Sequence, residues 1–403
     1  MTVIERMITI QISIFFFFST FCTIQSSFSD FFLNDYWSTE SMAERDGYTV
    51  EIHNVTTEDG YILTVQRIPG SEGAQPILLV HGLLCNSALW LASGKERSLA
   101  YLLVDEGYDV WLGNVRGNTY GLNHVNLTTD DTEFWDFSYH EMAIYDLPAI
   151  IYYIQASTNQ YPFYIGHSQG TVLFFVLGIL RPDVANSLKL PISLAPVAYI
   201  GHIIGPLQRF ALYCVAALYR VVQIFTNVQT FFTPSWRLSI FLLKLFCAVL
   251  SLGNYNCLNV VSSFLGYERP ELFDMTILPA IVTNFPAGTS AKNMYFYAQH
   301  TMSGRFNLYD YGEATNLKLY NSSTPPEYDL KKITQPNGIF LGDSDIFVKF
   351  PDLNKLLQLV PNIVVQHVVN ASGFTHMDFV WGAKSRDLVY NHVLKLVYEY
   401  NNQ

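Results

Sequence analysis

Gly166-His167-Ser168-Gln169-Gly170 is a G-x-S-x-G pentapeptide, and the chemistry it can do depends on what flanks it. Before it, Tyr161-Pro162-Phe163-Tyr164-Ile165 is a short aromatic and branched run that reads as a buried strand; after it, Thr171 to Leu180 is almost wholly apolar and reads as a helix. A strand that reverses sharply into a helix holds the Ser in a strained conformation with its hydroxyl exposed at the carboxyl edge of a sheet. The two Gly remove side chains that would collide across the turn. A hydroxyl is a poor nucleophile until a base takes its proton, so a His must reach it and an acid must hold that imidazole in one tautomer. Acyl transfer is the chemistry these three groups perform together.

On a doubly wound sheet the partners arrive on loops after later strands, in the order Ser, acid, His. Gly342-Asp343-Ser344-Asp345 follows a strand-like run ending at Leu341, and Gly373-Phe374-Thr375-His376 follows another ending at Val369. His376 is therefore the expected base. Asp345, a few positions beyond the strand tip, reaches the next loop better than Asp343, which reads as a solvated turn residue. Asp378 reads as a local structural carboxylate. A tetrahedral oxyanion needs two preorganised N–H donors. One is expected from the amide of Gln169 and the other from Leu83, in the His81-Gly82-Leu83-Leu84 loop that follows the Ile77 to Val80 strand.

The elements that must position these groups alternate along the chain. Strands are expected at Ile77 to Val80, Asp109 to Leu112, Ile192 to Val197, Gly338 to Leu341 and Ile363 to Val369, and a helix at Ser98 to Glu106. Phe137 to Gln155 is apolar at helical spacing, with Pro148 bending it or sitting in a tight start. This is the signature of an α/β fold: a mostly parallel central sheet with helices on both faces. From Ile200 to about Tyr328 the alternation fails and the chain turns aromatic and helical, which predicts an inserted cap over the carboxyl edge of the sheet. The expected organisation is a signal peptide at 1–27, core at 28–199, cap at 200–328 and core again at 329–403.

Of the 403 residues 50% are hydrophobic, 15% aromatic and only 14% charged, which excludes disorder. A net charge of −11 leaves no basic patch to meet phosphates, so nucleic acid is excluded as a partner. Arg6, the apolar stretch Met7 to Phe18 and the small polar residues near Ser26 form a secretory signal pattern, with a signal anchor as the alternative. The later apolar stretches Phe210 to Val228 and Leu238 to Leu252 are broken by Arg220 and Lys244 and read as amphipathic helices, leaving no membrane span in the mature chain. Four Asn-x-Ser/Thr sequons, at Asn54, Asn126, Asn321 and Asn370, fit the secretory route. Cys247 and Cys257 are spaced for a small disulfide loop, whereas Cys85 and Cys214 read as free and buried. No metal-ligand pattern occurs, so neither metal nor cofactor is expected.

Longer stretches resemble one family. Thr57-Glu58-Asp59-Gly60-Tyr61-Ile62-Leu63, Gly107-Tyr108-Asp109-Val110-Trp111-Leu112-Gly113-Asn114, Arg116-Gly117-Asn118-Thr119, Tyr145-Asp146-Leu147-Pro148-Ala149, Leu194-Ala195-Pro196-Val197 and Asp378-Phe379-Val380-Trp381 are similar to the metazoan acid lipases. That group of α/β-hydrolases contains gastric lipase and lysosomal acid lipase. The resemblance runs from about Tyr36 to the C-terminus. It implies acid hydrolysis of neutral-lipid esters (triacylglycerol, cholesteryl ester) at a membrane or droplet interface, in the lysosome or outside the cell. The implied nucleophile is Ser168, with Asp345 as acid, His376 as base and oxyanion amides at Leu83 and Gln169. It also implies the Cys247–Cys257 bridge. The chain departs from the family after the acid, where Ile346-Phe347-Val348-Lys349 replaces the usual Leu-Ala-Asp, and across Ile200 to Phe285, the region lining the acyl path. Two other readings compete: a catalytically inactive lipid carrier on the same fold, and an esterase for short soluble esters.

Overall fold

In the computed structural model, which describes residues 37–202, 229–231 and 274–403, Ile77 and Leu79 enter one hydrophobic core while Leu78 and Val80 enter another. That period-2 split recurs: Val110 and Leu112 lie opposite Trp111, and Phe163 and Ile165 opposite Tyr164. A strand whose every residue is buried must be covered on both faces, which is why these runs read as continuously apolar. The strands among the described residues are β1 (Glu51–Thr56), β2 (Tyr61–Ile68), β3 (Pro76–Val80), β4 (Asp109–Gly113), β5 (Asn123–His124), β6 (Phe163–His167), β7 (Pro191–Leu194), β8 (Thr230–Phe231), β9 (Thr289–Ser290), β10 (Asn337–Gly342) and β11 (Ile363–Val369).

The main sheet runs β1-β2-β4-β3-β6-β7-β10-β11, with β5 paired to β2. From β4 to β11 all pairs are parallel, while β1–β2 and β2–β4 are antiparallel. Helices Leu147–Thr158 and Gln169–Leu180 pack against one face, and Leu99–Asp105 and Asn391–Asn401 against the other. The α/β expectation therefore holds. The β1–β2 hairpin gives no such signal in the sequence, because β1 buries only Val55.

Two elements differ most from expectation in their bounds. β7 stops at Leu194 because Ala195 takes a left-handed φ of +50° that ends the extended run. The stretch from Phe137 is broken into a short helix Tyr139–Glu141, a π-helical turn Met142–Asp146 and the helix Leu147–Thr158. Pro148, which has no N–H to give the turn before it, lies just past the π-helical turn. Within 274–328 the chain is helical at Leu278–Asn284, Ala291–Ser303 and Glu313–Tyr320. The signal pattern, the apolar stretches Phe210 to Val228 and Leu238 to Leu252, Cys214 and the Cys247–Cys257 pair lie outside the described residues. No helix among the described residues is long and apolar enough to cross a membrane.

Arg116, in the loop after β4, locks the antiparallel end of the sheet. It is 1% exposed, and its guanidinium donates to Asp146 at 2.8 Å and to Asp59 at 2.8 Å while stacking on Tyr61 with its Cζ 3.9 Å from the ring centroid. Burial pushes the Asp146 carboxyl up to about 6 even though Arg116 pulls it down.

Candidate active site

β6 ends at His167 and a helix begins at Gln169, so Ser168 must turn the chain alone. It does so at φ +53° and ψ −114°, a conformation that costs on the order of 1–3 kcal/mol for a residue with a side chain. The Gly on either side are required by contact. A Cβ on Gly166 would lie 2.7 Å from the Gly170 carbonyl oxygen, and one on Gly170 would lie 2.5 Å from the Val80 carbonyl oxygen. The strained turn is braced by Ser168 N–H donating to the Leu194 carbonyl at 3.1 Å and by Thr171 Oγ1 donating to the Ser168 carbonyl at 2.6 Å.

The loops after β10 and β11 converge on this turn. His376 Nε2 lies 2.7 Å from Ser168 Oγ, and His376 Nδ1 lies 2.8 Å from Asp345 Oδ2. Asp345 and His376 are each 3% exposed. The other Asp345 oxygen accepts the amides of Phe347 at 2.8 Å and Val348 at 3.1 Å, so the carboxylate is held on both oxygens. Because an ionised carboxylate only accepts, Nδ1 carries the imidazole proton and Nε2 is left to accept from the Ser168 hydroxyl. Asp343 accepts from Ser344 Oγ, whose oxygen in turn accepts the Gly373 amide at 3.3 Å. Asp378 accepts the Thr375 amide at 2.6 Å and shapes the turn before His376.

Two neighbours escaped the sequence reading. His167 donates from Nε2 to the His376 carbonyl at 3.0 Å, and its ring lies 5.0 Å from the His376 ring. Burial, reinforced by His376, holds His167 well below the ordinary histidine value, so it is a neutral brace. Phe347 sets its ring edge-on to His376 at 4.9 Å and covers that side of the imidazole. The available signals were position only: His167 as the second residue of the pentapeptide, and Phe347 as an apolar residue just beyond Asp345.

The loop after β3 passes beside the Ser. A Cβ on Gly82 would come within 3.1 Å of both Ser168 Cβ and His167 Nδ1, which places the Gly82 backbone directly against Ser168. Leu84 holds φ at +61°, and its carbonyl accepts the Ala287 amide at 2.6 Å. His81 fixes the loop from behind. Its Nδ1 donates to the Gly82 carbonyl at 2.8 Å while Nε2 accepts from Asn118 Nδ2 at 2.9 Å, a network that admits only the neutral ring. Gln169 begins its helix, where the first amides have no intrahelical acceptor.

Burial lowers His81 to about 4 from an unfolded value near 6.5, which makes folding stability depend on pH. Above pH 6.5 both states are neutral and the group contributes nothing. As the pH falls from 6.5 toward 4, the unfolded chain takes up a proton that the folded chain refuses, and stability drops by ~1.4 kcal/mol per pH unit for this one group. Urea unfolding of His81→Gln followed from pH 6 to 4.5 is expected to give a slope shallower than the parent's by about that amount. An unchanged slope would show that His81 does not titrate in this way.

All four sequon asparagines, Asn54, Asn126, Asn321 and Asn370, are exposed. Cys85 is a buried free thiol beside the His81 loop, and burial pushes its thiol upward, away from a reactive thiolate. Among the described residues no group of three or more His, Cys, Asp or Glu side chains forms a metal cage.

Comparison with known proteins places this chain in a family. Residues 39–94 match the partial alpha/beta-hydrolase lipase region, and residues 75–190 match the alpha/beta hydrolase fold. Lipase 3 of Drosophila melanogaster is 37% identical over 364 residues, spanning 89% of this chain and 92% of that protein. Gastric triacylglycerol lipase of Rattus norvegicus is 35% identical over 364 residues, spanning 88% and 89%. Lipase lipl-1 of Caenorhabditis elegans is 36% identical over 372 residues, spanning 89% and 91%. Among solved structures, a bacterial membrane phospholipase A aligns with a TM-score of 0.51 at 12% identity, over 97% of this chain and 100% of that one. Epoxide hydrolase VrEH1 from Vigna radiata aligns with a TM-score of 0.50 at 16% identity, over 87% and 98%. At such identities these two bear on the fold alone. The chain belongs to the gastric and lysosomal type of lipases within the α/β-hydrolases.

Proposed function

We propose that the protein hydrolyses carboxylic esters of neutral lipids, triacylglycerol or cholesteryl ester, through an acyl-enzyme on Ser168. The observation that carries this reading is the unbroken chain from Ser168 Oγ through His376 to Asp345, at 2.7 and 2.8 Å. Ser168 Oγ attacks the ester carbonyl as its proton passes to His376 Nε2, and Asp345 stabilises the resulting imidazolium without taking the proton. The oxyanion is met by the amides of Leu83 and Gln169. The intermediate collapses, the C–O bond to the alcohol breaks, and the alcohol leaves with the proton from His376. Water then attacks the acyl-enzyme with His376 again as base, which releases the fatty acid and restores the Ser hydroxyl.

The relatives' names support the lipid ester as substrate, and the signal pattern with four exposed sequons supports a secretory-pathway location, lysosomal or extracellular. Residues 200–328 are proposed as the cap, which would meet the lipid surface. Hydrolysis of triacylglycerol and cholesteryl ester emulsions, compared with short soluble esters from pH 4 to 8, separates the readings. Long-chain emulsions are expected to be cleaved, with rates rising once the substrate exceeds its solubility limit. Turnover confined to short soluble esters would mean a small-ester esterase, and no turnover with intact lipid binding would mean a carrier.

A further inference from the structure

The side chain of Gln169 has no part in the chemistry above, yet it is 3% exposed and bonded on both its polar atoms. Its oxygen accepts from Asn293 Nδ2 at 3.0 Å and from the Tyr297 hydroxyl at 3.2 Å, and its nitrogen faces Met142 Sδ at 3.6 Å. Asn293 is itself fully buried. Its oxygen accepts the Tyr139 amide at 2.8 Å, and its nitrogen also donates to Thr289 Oγ1 at 3.1 Å. The partner that grips Gln169 is therefore fixed from two further sides, one in the core and one in β9.

We infer that Asn293, assisted by Tyr297, is a positioning residue for the oxyanion hole, acting through Gln169; this rests on the acyl-enzyme reading of Ser168. Gln169 carries both the amide that would meet the oxyanion and the side chain that Asn293 holds, and the Cα bearing that side chain lies in the peptide plane it shares with Ser168, one bond from the donating nitrogen. That plane follows the strained Ser168 turn and has no side-chain cap of its own. An anchor beyond the turn keeps the donor aimed before substrate arrives, and preorganisation of this kind is what gives an oxyanion donor its effect. Asn293 also sits three residues beyond Ser290 of β9, which pairs with β8, and the Ala291 amide donates to the Gln229 carbonyl at 2.8 Å. The segment at 229–231 is thereby tied to the helix that holds the hole.

The test is a double-mutant cycle on a soluble p-nitrophenyl ester with Asn293→Ala, Tyr297→Phe and Gln169→Met, the last keeping the backbone amide. Asn293→Ala and Gln169→Met are each expected to lower kcat by about 10- to 100-fold with KM changed by less than about twofold. Their combination should be no worse than either alone. Tyr297→Phe, which removes one hydroxyl, should lower kcat by a few-fold in the parent and not at all in Gln169→Met, so the inference remains testable if Asn293→Ala fails to fold. Multiplicative losses, or an unchanged kcat in folded Asn293→Ala or Tyr297→Phe, would overturn it. Fluorophosphonate labelling of the parent is run alongside. A parent unlabelled at Ser168 overturns the acyl-enzyme reading beneath the inference, whereas a labelled parent with multiplicative losses overturns the positioning role alone.

Discussion

Ser168→Ala is expected to yield a folded protein whose turnover of lipid esters falls by roughly 10⁴- to 10⁶-fold, because the proposed covalent route disappears while the proposed oxyanion donors, which are backbone amides, remain. The fold should tolerate the change well. Among the described residues Ser168 Oγ bonds only to His376, and the backbone bonds that brace the turn, to Leu194 and from Thr171, do not involve the hydroxyl. Relief of a side chain from φ +53° is not gained either, since Ala carries the same Cβ. Thermal unfolding should therefore stay close to the parent's while kcat collapses. Retention of more than a few per cent of the parent's kcat would require another nucleophile.

Arg116→Met is expected to damage the fold rather than the chemistry, by about 3–5 kcal/mol at neutral pH. Arg116 is 1% exposed and Asp146 fully buried, so loss of the guanidinium strands a carboxylate with no route to water. Three N–H groups of Arg116 reach Asp146: the backbone amide at 2.9 Å, Nε at 2.8 Å and a terminal nitrogen at 2.6 Å. Burial already raises Asp146 to about 6, and removing its cation drives it higher still, so in the variant the group avoids its charge by taking up a proton. The deficit should accordingly be smaller at pH 5 than at pH 8. Urea unfolding at the two values checks this, and Arg116→Met combined with Asp146→Asn should recover part of the loss. A deficit of under about 1 kcal/mol at both values would show that the pair does not hold this corner of the sheet.

Much of the core architecture was legible because buried parallel strands cannot hide their composition. β3, β4, β6 and β10 are apolar runs ended by Gly or His, and β11, although one face is open to water, matches its expected bounds because Val364 and Val368 keep even that face mostly apolar. Legibility failed where burial is one-sided or where a single dihedral decides. β1 shows water most of its residues and so carries little hydrophobic signal, and β7 is cut short by the left-handed turn at Ala195, an ordinary residue in an extraordinary conformation. That Ser168, Asp345 and His376 come together could be anticipated because loop position and chain order constrain them. The grip of Asn293 on Gln169, the His167 brace and the Arg116 clamp could not. Each joins residues separated by 30 or more positions with no local pattern, or, for His167, depends on which carbonyl its ring happens to face.

Incubation of the purified protein with a fluorophosphonate probe between pH 4 and 8, followed by peptide mass mapping, tests the nucleophile most directly. A single adduct on the peptide containing Ser168, absent from Ser168→Ala, is the predicted result. Folded protein that takes no label at any pH, or takes it on another residue, would contradict the acyl-enzyme mechanism.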